Sequence, residues 1–96
     1  MSYYSMRDYT FVKFQKSNTQ NKKYDAIIKN NKTGENITIP FGDNRYEQYI
    51  DRTGLGIYSS LNHGDKKRRS LYRKRHETYL KPTMFSAGYF SWFYLW

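Results

Sequence analysis

Lys23-Tyr-Asp-Ala-Ile-Ile-Lys29, Asn30-Asn-Lys-Thr-Gly34 and Glu35-Asn-Ile-Thr-Ile-Pro-Phe41 are the consecutive stretches on which the fold turns. The last alternates, with Ile37, Ile39 and Phe41 on one side and polar residues between them, which is the period of a half-buried strand. The first pairs Ile27 and Ile28 with Tyr24 and reads as a second strand. Asn30 to Gly34 supplies turn chemistry, and Gly34 can take a positive φ at no steric cost. The two strands therefore form a β-hairpin. Pro40 lacks the N–H that a ladder needs, so it marks an edge or a strand end. Upstream, Tyr9-Thr-Phe-Val-Lys-Phe-Gln-Lys16 is aromatic and β-branched and reads as a third strand, joined to the hairpin by the polar Ser17–Asn21. Three strands with one apolar face make a minimal meander, and such a sheet needs a cover.

Two downstream segments offer one. Asp65 is a good N-cap for a helix from Lys66 to about Tyr79, a run free of Gly and Pro that Pro82 stops. Taking Leu71 as the centre of its apolar face, Tyr72 and Tyr79 fall on that face, with Arg68 and Arg75 lying along it, stacked or paired with a carboxylate. Lys66, Arg69 and Arg73 fall on the opposite side as an exposed basic stripe, with Lys67 and Lys74 on its flank. The only acids near this stripe stand at its ends, Asp65 four before Arg69 and Glu77 four after Arg73, so its charges repel one another; an anionic partner, or acids elsewhere in the fold, must offset that. The second segment, Phe85 to Trp96, holds seven aromatics in twelve residues. Tyr89, Trp92, Phe93 and Trp96 recur at i, i+3, i+4, i+7, the spacing of a short helix laid on the sheet or on a partner. Between strands and helix, Gly42, Gly54, Gly56 and Gly64 punctuate the chain. Within this region Arg45–Asp51 reads as a short helix with Tyr46, Tyr49 and Ile50 on one face, and Tyr58–Leu61 as a single turn. The expectation is an α+β fold: a small three-stranded antiparallel meander covered by a basic helix and an aromatic C-terminal segment. Residues 9–96 form the one small domain, and residues 1–8 an N-terminal tail.

Composition narrows the function. Among 96 residues, Leu, Ile, Val and Phe number 18, while Tyr, Phe and Trp number 19, so the core must be built from aromatic rather than aliphatic burial. The absence of cysteine excludes disulfide scaffolds and thiolate zinc sites. The first eight residues lack the apolar stretch of a signal peptide, and no run of 18 apolar residues exists, so the expectation is a protein that is not secreted and does not span a membrane. The net charge of +9 points to nucleic acid, anionic lipid or an acidic protein surface. That charge is localised. Residues 65–81 hold eight basic and two acidic side chains, and residues 82–96 hold none.

Three stretches together carry a resemblance: Phe41-Gly-Asp-Asn-Arg-Tyr-Glu-Gln-Tyr49; Tyr58-Ser-Ser-Leu-Asn-His63 with Lys67-Arg-Arg-Ser-Leu-Tyr-Arg-Lys-Arg-His76; and Gly88-Tyr-Phe-Ser-Trp-Phe-Tyr-Leu-Trp96. Over residues 23–96 the chain resembles small uncharacterised proteins of nucleocytoplasmic large DNA viruses and some marine phages. Those proteins have a strand-rich start, a basic helix and a Leu-Trp ending. The resemblance implies a virus-encoded protein, a component of the virion or of the infected cell's interior, and it brings no catalytic residue.

Specific sites are few. Gly56-Ile-Tyr58 matches half of a nuclease signature of the GIY-YIG type, but no Tyr-Ile-Gly follows it. His63 and His76 are the only histidines, and a metal would need carboxylates such as Asp65 and Glu77 to complete its shell. Packed or hydrogen-bonded imidazoles are the simpler reading. Ser59, Ser60 and Ser70 have no nucleophile context. Asp43, Glu47 and Asp51, at i, i+4, i+8, read as charge balance for the basic helix; pairing of Arg68 or Arg75 with one of them would tie segment 42–52 to that helix. The expectation is therefore no enzyme, no cofactor and no metal. The partner-binding residues are Lys66, Lys67, Arg69, Arg73 and Lys74, with Arg68 and Arg75 structural. Tyr89, Trp92, Phe93 and Trp96 serve as core or interface aromatics. The partner is an acidic viral structural protein such as a capsid subunit, bridged by a minor capsid or cement protein. The alternative is nucleic acid, coated without sequence preference, since no helix-turn-helix, zinc-finger or RNP signature occurs. Peripheral membrane contact is the least favoured of the three.

Overall fold

The computed structural model describes residues 2–96. In chain order the elements are β1 (Tyr4–Ser5), β2 (Tyr9–Lys16), β3 (Lys22–Asn30), β4 (Asn36–Asp43), a 3-10 turn at Ser59–Leu61, α1 (Lys66–His76), β5 (Met84–Phe85) and α2 (Ala87–Tyr94). The fold is α+β. Strands β2, β3 and β4 form an antiparallel sheet in that order, and β1 and β5 form a second, two-stranded one.

Register follows the apolar pattern. Tyr24 stands opposite Phe41, Ala26 opposite Ile39 and Ile28 opposite Ile37, so the alternation of β4 lands on one face of the hairpin. On the other side, Phe11 pairs with Ile28 and Phe14 with Ala26; an irregularity between Phe11 and Lys13 lets two rings three positions apart share the core face. The hairpin turn closes as its residues suggest. Asn30 Oδ1 accepts from the backbone N–H of Lys32 and Thr33 (2.9 and 3.2 Å), and Gly34 takes φ +76°.

The cover on this sheet is α2. Ser86 caps it by accepting from Tyr89 N at 3.0 Å. Phe90 (1 % exposed) sits within 5.6–5.8 Å of the rings of Phe11, Phe14, Phe41 and Phe85, and Leu95 (1 %) closes the far end. Burying a Phe side chain so completely contributes about 2–3 kcal/mol. This corrects the helical face read from sequence. Phe90 and Leu95 are the residues fully buried against the sheet; of the Tyr89-Trp92-Phe93-Trp96 row, Tyr89 and Trp96 pack partly against that core and Phe93 is 40 % exposed. With seven aromatics in twelve residues nearly every face of α2 is apolar, so periodicity alone did not select one. Gly42 makes the close approach possible: its φ is +74°, and a Cβ there would lie 2.7 Å from Leu95 Cδ1.

Two further differences concern the ends of the chain and the basic helix. Tyr4–Ser5, within the expected 1–8 tail, pairs with Met84–Phe85 and so ties the N-terminal residues to the entry of α2. The basic helix α1 buries no residue completely. It packs on the aromatic C-terminal segment, so the sheet's cover is the tail and α1 forms a third layer outside it.

Candidate functional site

α1 starts where Asp65 caps it. Asp65 Oδ1 accepts from the N–H of Lys67 and Arg68 (2.9 and 3.2 Å), and these bonds hold its carboxyl below the usual carboxylate range. His63 Nδ1 in turn accepts from Asp65 N at 2.9 Å. Burial, and then the Arg68 guanidinium, push the His63 pKa down, so the imidazole is neutral and acts as an acceptor. The helix ends at His76 rather than Tyr79, with Glu77 at its C-cap.

The face of α1 that meets the body is not the one centred on Leu71. Tyr72 stacks on Trp96, ring centroids 4.3 Å apart and planes 4° from parallel, and His76 lies against the other side of Tyr72 at 4.3 Å. Burial pushes the Tyr72 phenol up to about 12. Arg73 lies over the Trp92 ring at 5.3 Å and donates from Nη2 to the Trp96 carbonyl at 3.3 Å. Arg69 lies over the Tyr49 ring at 4.5 Å. Arg69 and Arg73, expected in the exposed stripe, are therefore clamps that hold the helix down. Leu71, by contrast, is 52 % exposed and Tyr79 59 %. The physical reason is the chemistry of the receiving surface. Trp92, Trp96 and Tyr49 are flat π faces, which take guanidinium planes and a tyrosine ring better than a lone branched aliphatic side chain.

Of the two arginines expected along the inner face, Arg68 forms an ion pair with Glu47 at 3.0 Å, which ties segment 42–52 to the helix. Arg75 is exposed, and among the described residues no ion pair engages it. Lys66, Lys67 and Lys74 are exposed as expected. The outward surface of α1 is thus Leu71 with Lys67 and Arg68 at i−4 and i−3, and Lys74 and Arg75 at i+3 and i+4.

Segment 44–58 is not helical, a correction to the expected Arg45–Asp51 helix, while the turn expected at Tyr58–Leu61 is the 3-10 turn Ser59–Leu61. Its backbone is tied across the loop instead. Gln48 N donates to the Leu61 carbonyl at 3.1 Å and His63 N to the Gln48 carbonyl at 3.0 Å. The Gln48 side chain is fully buried, donating to the Tyr58 carbonyl and Asn62 Oδ1 and accepting from Lys23 Nζ. Lys23 is 2 % exposed; burial lowers its pKa to about 8, partly offset by Asp43 and Asp51. The three acids do not share a face. Asp43 binds Arg45 at 2.7 Å, Glu47 binds Arg68, and Asp51 accepts from the Tyr24 hydroxyl.

Between α1, the start of β3 and the end of β4 lies an open cleft of about 530 Å³. Lys22, Lys23, Arg68 and Arg75 line it, with Tyr46, Tyr72 and Trp96 as aromatic walls and Ala87, Gly88 and Ser91 of α2 as its floor. Among the described residues no three His, Asp or Glu side chains gather as a metal shell, and no helix is long and apolar enough to cross a membrane.

Neither the clamps nor the cleft was visible in the sequence. Nothing local marks Arg69 and Arg73 apart from their neighbours in a run of basic residues, and the role of Lys23 depends on Gln48, 25 positions away. No protein family, curated protein or solved structure matches the chain.

Proposed function

We propose that the protein is a non-enzymatic structural component that docks, through the outward face of α1, on the acidic surface of a larger protein assembly. The carrying observation is Leu71, half exposed at the centre of four cationic side chains one helical turn away on either side. An apolar centre ringed by charge is the anatomy of a protein interface, where the centre desolvates and the rim steers. A phosphate backbone engages the cations but makes no use of a leucine. The resemblance to large-DNA-virus proteins supports a virus particle as the assembly and a capsid subunit as the partner. The aromatic tail serves this function indirectly: Trp92 and Trp96 orient α1, and Phe93 is the tail residue left most open for contact.

Nucleic-acid coating is the second reading. Lys66, Lys67, Lys74 and Arg75 are exposed, and Tyr46, 65 % exposed, offers a ring on which a base can stack. A photo-crosslinking phenylalanine analogue in place of Leu71, carried into purified particles, separates the two. The docking reading expects cross-links to one acidic subunit in a fixed ratio. Particles that contain none of the protein, or cross-links to nucleic acid alone, overturn it.

A further inference from the structure

Gly88 has no explanation inside the chain. It sits in the first turn of α2, where glycine costs about 0.5–1 kcal/mol relative to alanine. Its φ is not in the left-handed region, and a Cβ built on it would meet nothing closer than Ser86 Oγ at 3.8 Å. Neither backbone conformation nor packing therefore calls for a glycine. What Gly88 does is leave bare the floor of the cleft between α1 and the ends of β3 and β4.

The charges around that floor are uneven. The two acids of the cleft are already engaged, Asp43 by Arg45 and Glu47 by Arg68. Lys22 and Arg75 have no such partner among the described residues, and the buried Lys23 ammonium has three N–H donors and one acceptor, Gln48 Oε1. The backbone N–H groups of Ala87 and Gly88, in the first turn of α2, are free of intrahelical bonds by geometry and add partial positive charge at the same place. The volume of about 530 Å³ lies within the range of small-molecule sites, and the walls supply the rings of Tyr46, Tyr72 and Trp96.

We propose that this cleft binds a small organic anion, a nucleoside monophosphate in chemical class, with the phosphate held by Lys22 and Arg75 over the bare floor at Gly88, the buried Lys23 ammonium adding its charge from behind, and the base against the exposed ring of Tyr46. The cleft shares Arg75 with the outward Leu71 surface but not Gly88, so Gly88→Leu tests the cleft without touching the docking face.

Trp96 lines the cleft, so its fluorescence reports occupancy. Titration of the full chain with adenosine monophosphate, inorganic phosphate and adenosine is expected to show saturable quenching by the nucleotide below about 1 mM, at least tenfold tighter than phosphate, with no response to adenosine. Gly88→Leu fills the floor while keeping every charge, and is expected to weaken the nucleotide at least tenfold. Gly88→Ala is expected to raise Tm. Arg75→Gln, at an exposed side chain outside any ion pair, gives a second reading should Gly88→Leu misfold, with an expected loss of at least fivefold. No nucleotide binding at millimolar concentration overturns the proposal. So does phosphate binding as tightly as the nucleotide, or an affinity that both folded variants leave unchanged, since binding would then reflect only the protein's net positive charge.

Discussion

Truncating Leu71 and truncating Tyr72 should have very different costs, and the difference tests which face of α1 meets the body. Tyr72 is half-buried between Trp96 and His76, with centroid distances of 4.3 Å on both sides. A tyrosine in such a position removes about 100 Å² of mostly apolar surface from water, or about 2.5 kcal/mol at 25 cal/mol per Å². Its stack with Trp96 adds about 0.5–1.5 kcal/mol beyond area. Tyr72→Ala should therefore cost about 3 kcal/mol, a fall in Tm of about 12–24 °C for a domain of this length. Leu71 is 52 % exposed and has charged neighbours on the helix surface. Its truncation loses under about 1 kcal/mol of burial and regains a little through the better helix propensity of alanine. Urea and thermal melts followed by circular dichroism measure both, and Tyr72→Phe serves as a control that keeps the ring. If Leu71→Ala costs as much as Tyr72→Ala, α1 is rotated relative to this account, and both the arginine clamps and the outward apolar centre are wrong.

Other consequences follow from the core and the buried charges. Phe90→Ala should lose about 3–5 kcal/mol, enough to unfold so small a domain at ambient temperature, as read by amide NMR dispersion. Gly42→Ala combines a positive φ with a 2.7 Å approach to Leu95 and should cost more than about 2 kcal/mol in the same melts; a neutral result would remove the close contact between β4 and the C-terminal segment. The Lys23 pKa is depressed in the fold to about 8 from 10.5, so the unfolded chain binds the extra proton between those values. Stability should rise as pH increases through that window, by on the order of 2–3 kcal/mol, until tyrosine ionisation above about pH 10 opposes it through Tyr24, Tyr72 and Tyr89, whose pKa values are raised. In Lys23→Met the rise should vanish. His63 and His76 are both depressed, so the stability present above the ordinary histidine pKa should fall as pH drops below it, and His63→Gln should flatten part of that fall.

The meander was legible because its signal is local. The alternation of Ile37, Ile39 and Phe41, the Asn30–Gly34 turn and the Asp65 cap each depend on residues within a few positions of one another. The orientation of α1 was not. Leu71 is the helix's one aliphatic residue and drew the apolar face to itself, whereas the true face is set by Trp92, Trp96 and Tyr49, rings that only the folded chain brings beside Tyr72, Arg69 and Arg73. The pairing of segment 42–52 with α1 was readable in outline, since a basic helix needs acids, and Arg68 does meet Glu47. The expected short helix over Arg45–Asp51 failed because Gln48 is drawn into the fold by Lys23, Tyr58 and Asn62, and these partners are distant in sequence.

The most direct test of docking by the outward face compares two probes on one variant. A synthetic glutamate-rich amphipathic helix with an apolar centre, and a 20-base-pair DNA duplex, are each titrated with wild type and Leu71→Ala across a range of salt. If α1 docks through Leu71, the peptide loses about 5- to 20-fold in affinity on Leu71→Ala, equivalent to about 1–2 kcal/mol, while duplex binding is weak, steeply salt-dependent and indifferent to the substitution. Tight duplex binding together with a peptide affinity that ignores Leu71 would contradict it, and would make the basic helix a phosphate-binding surface instead.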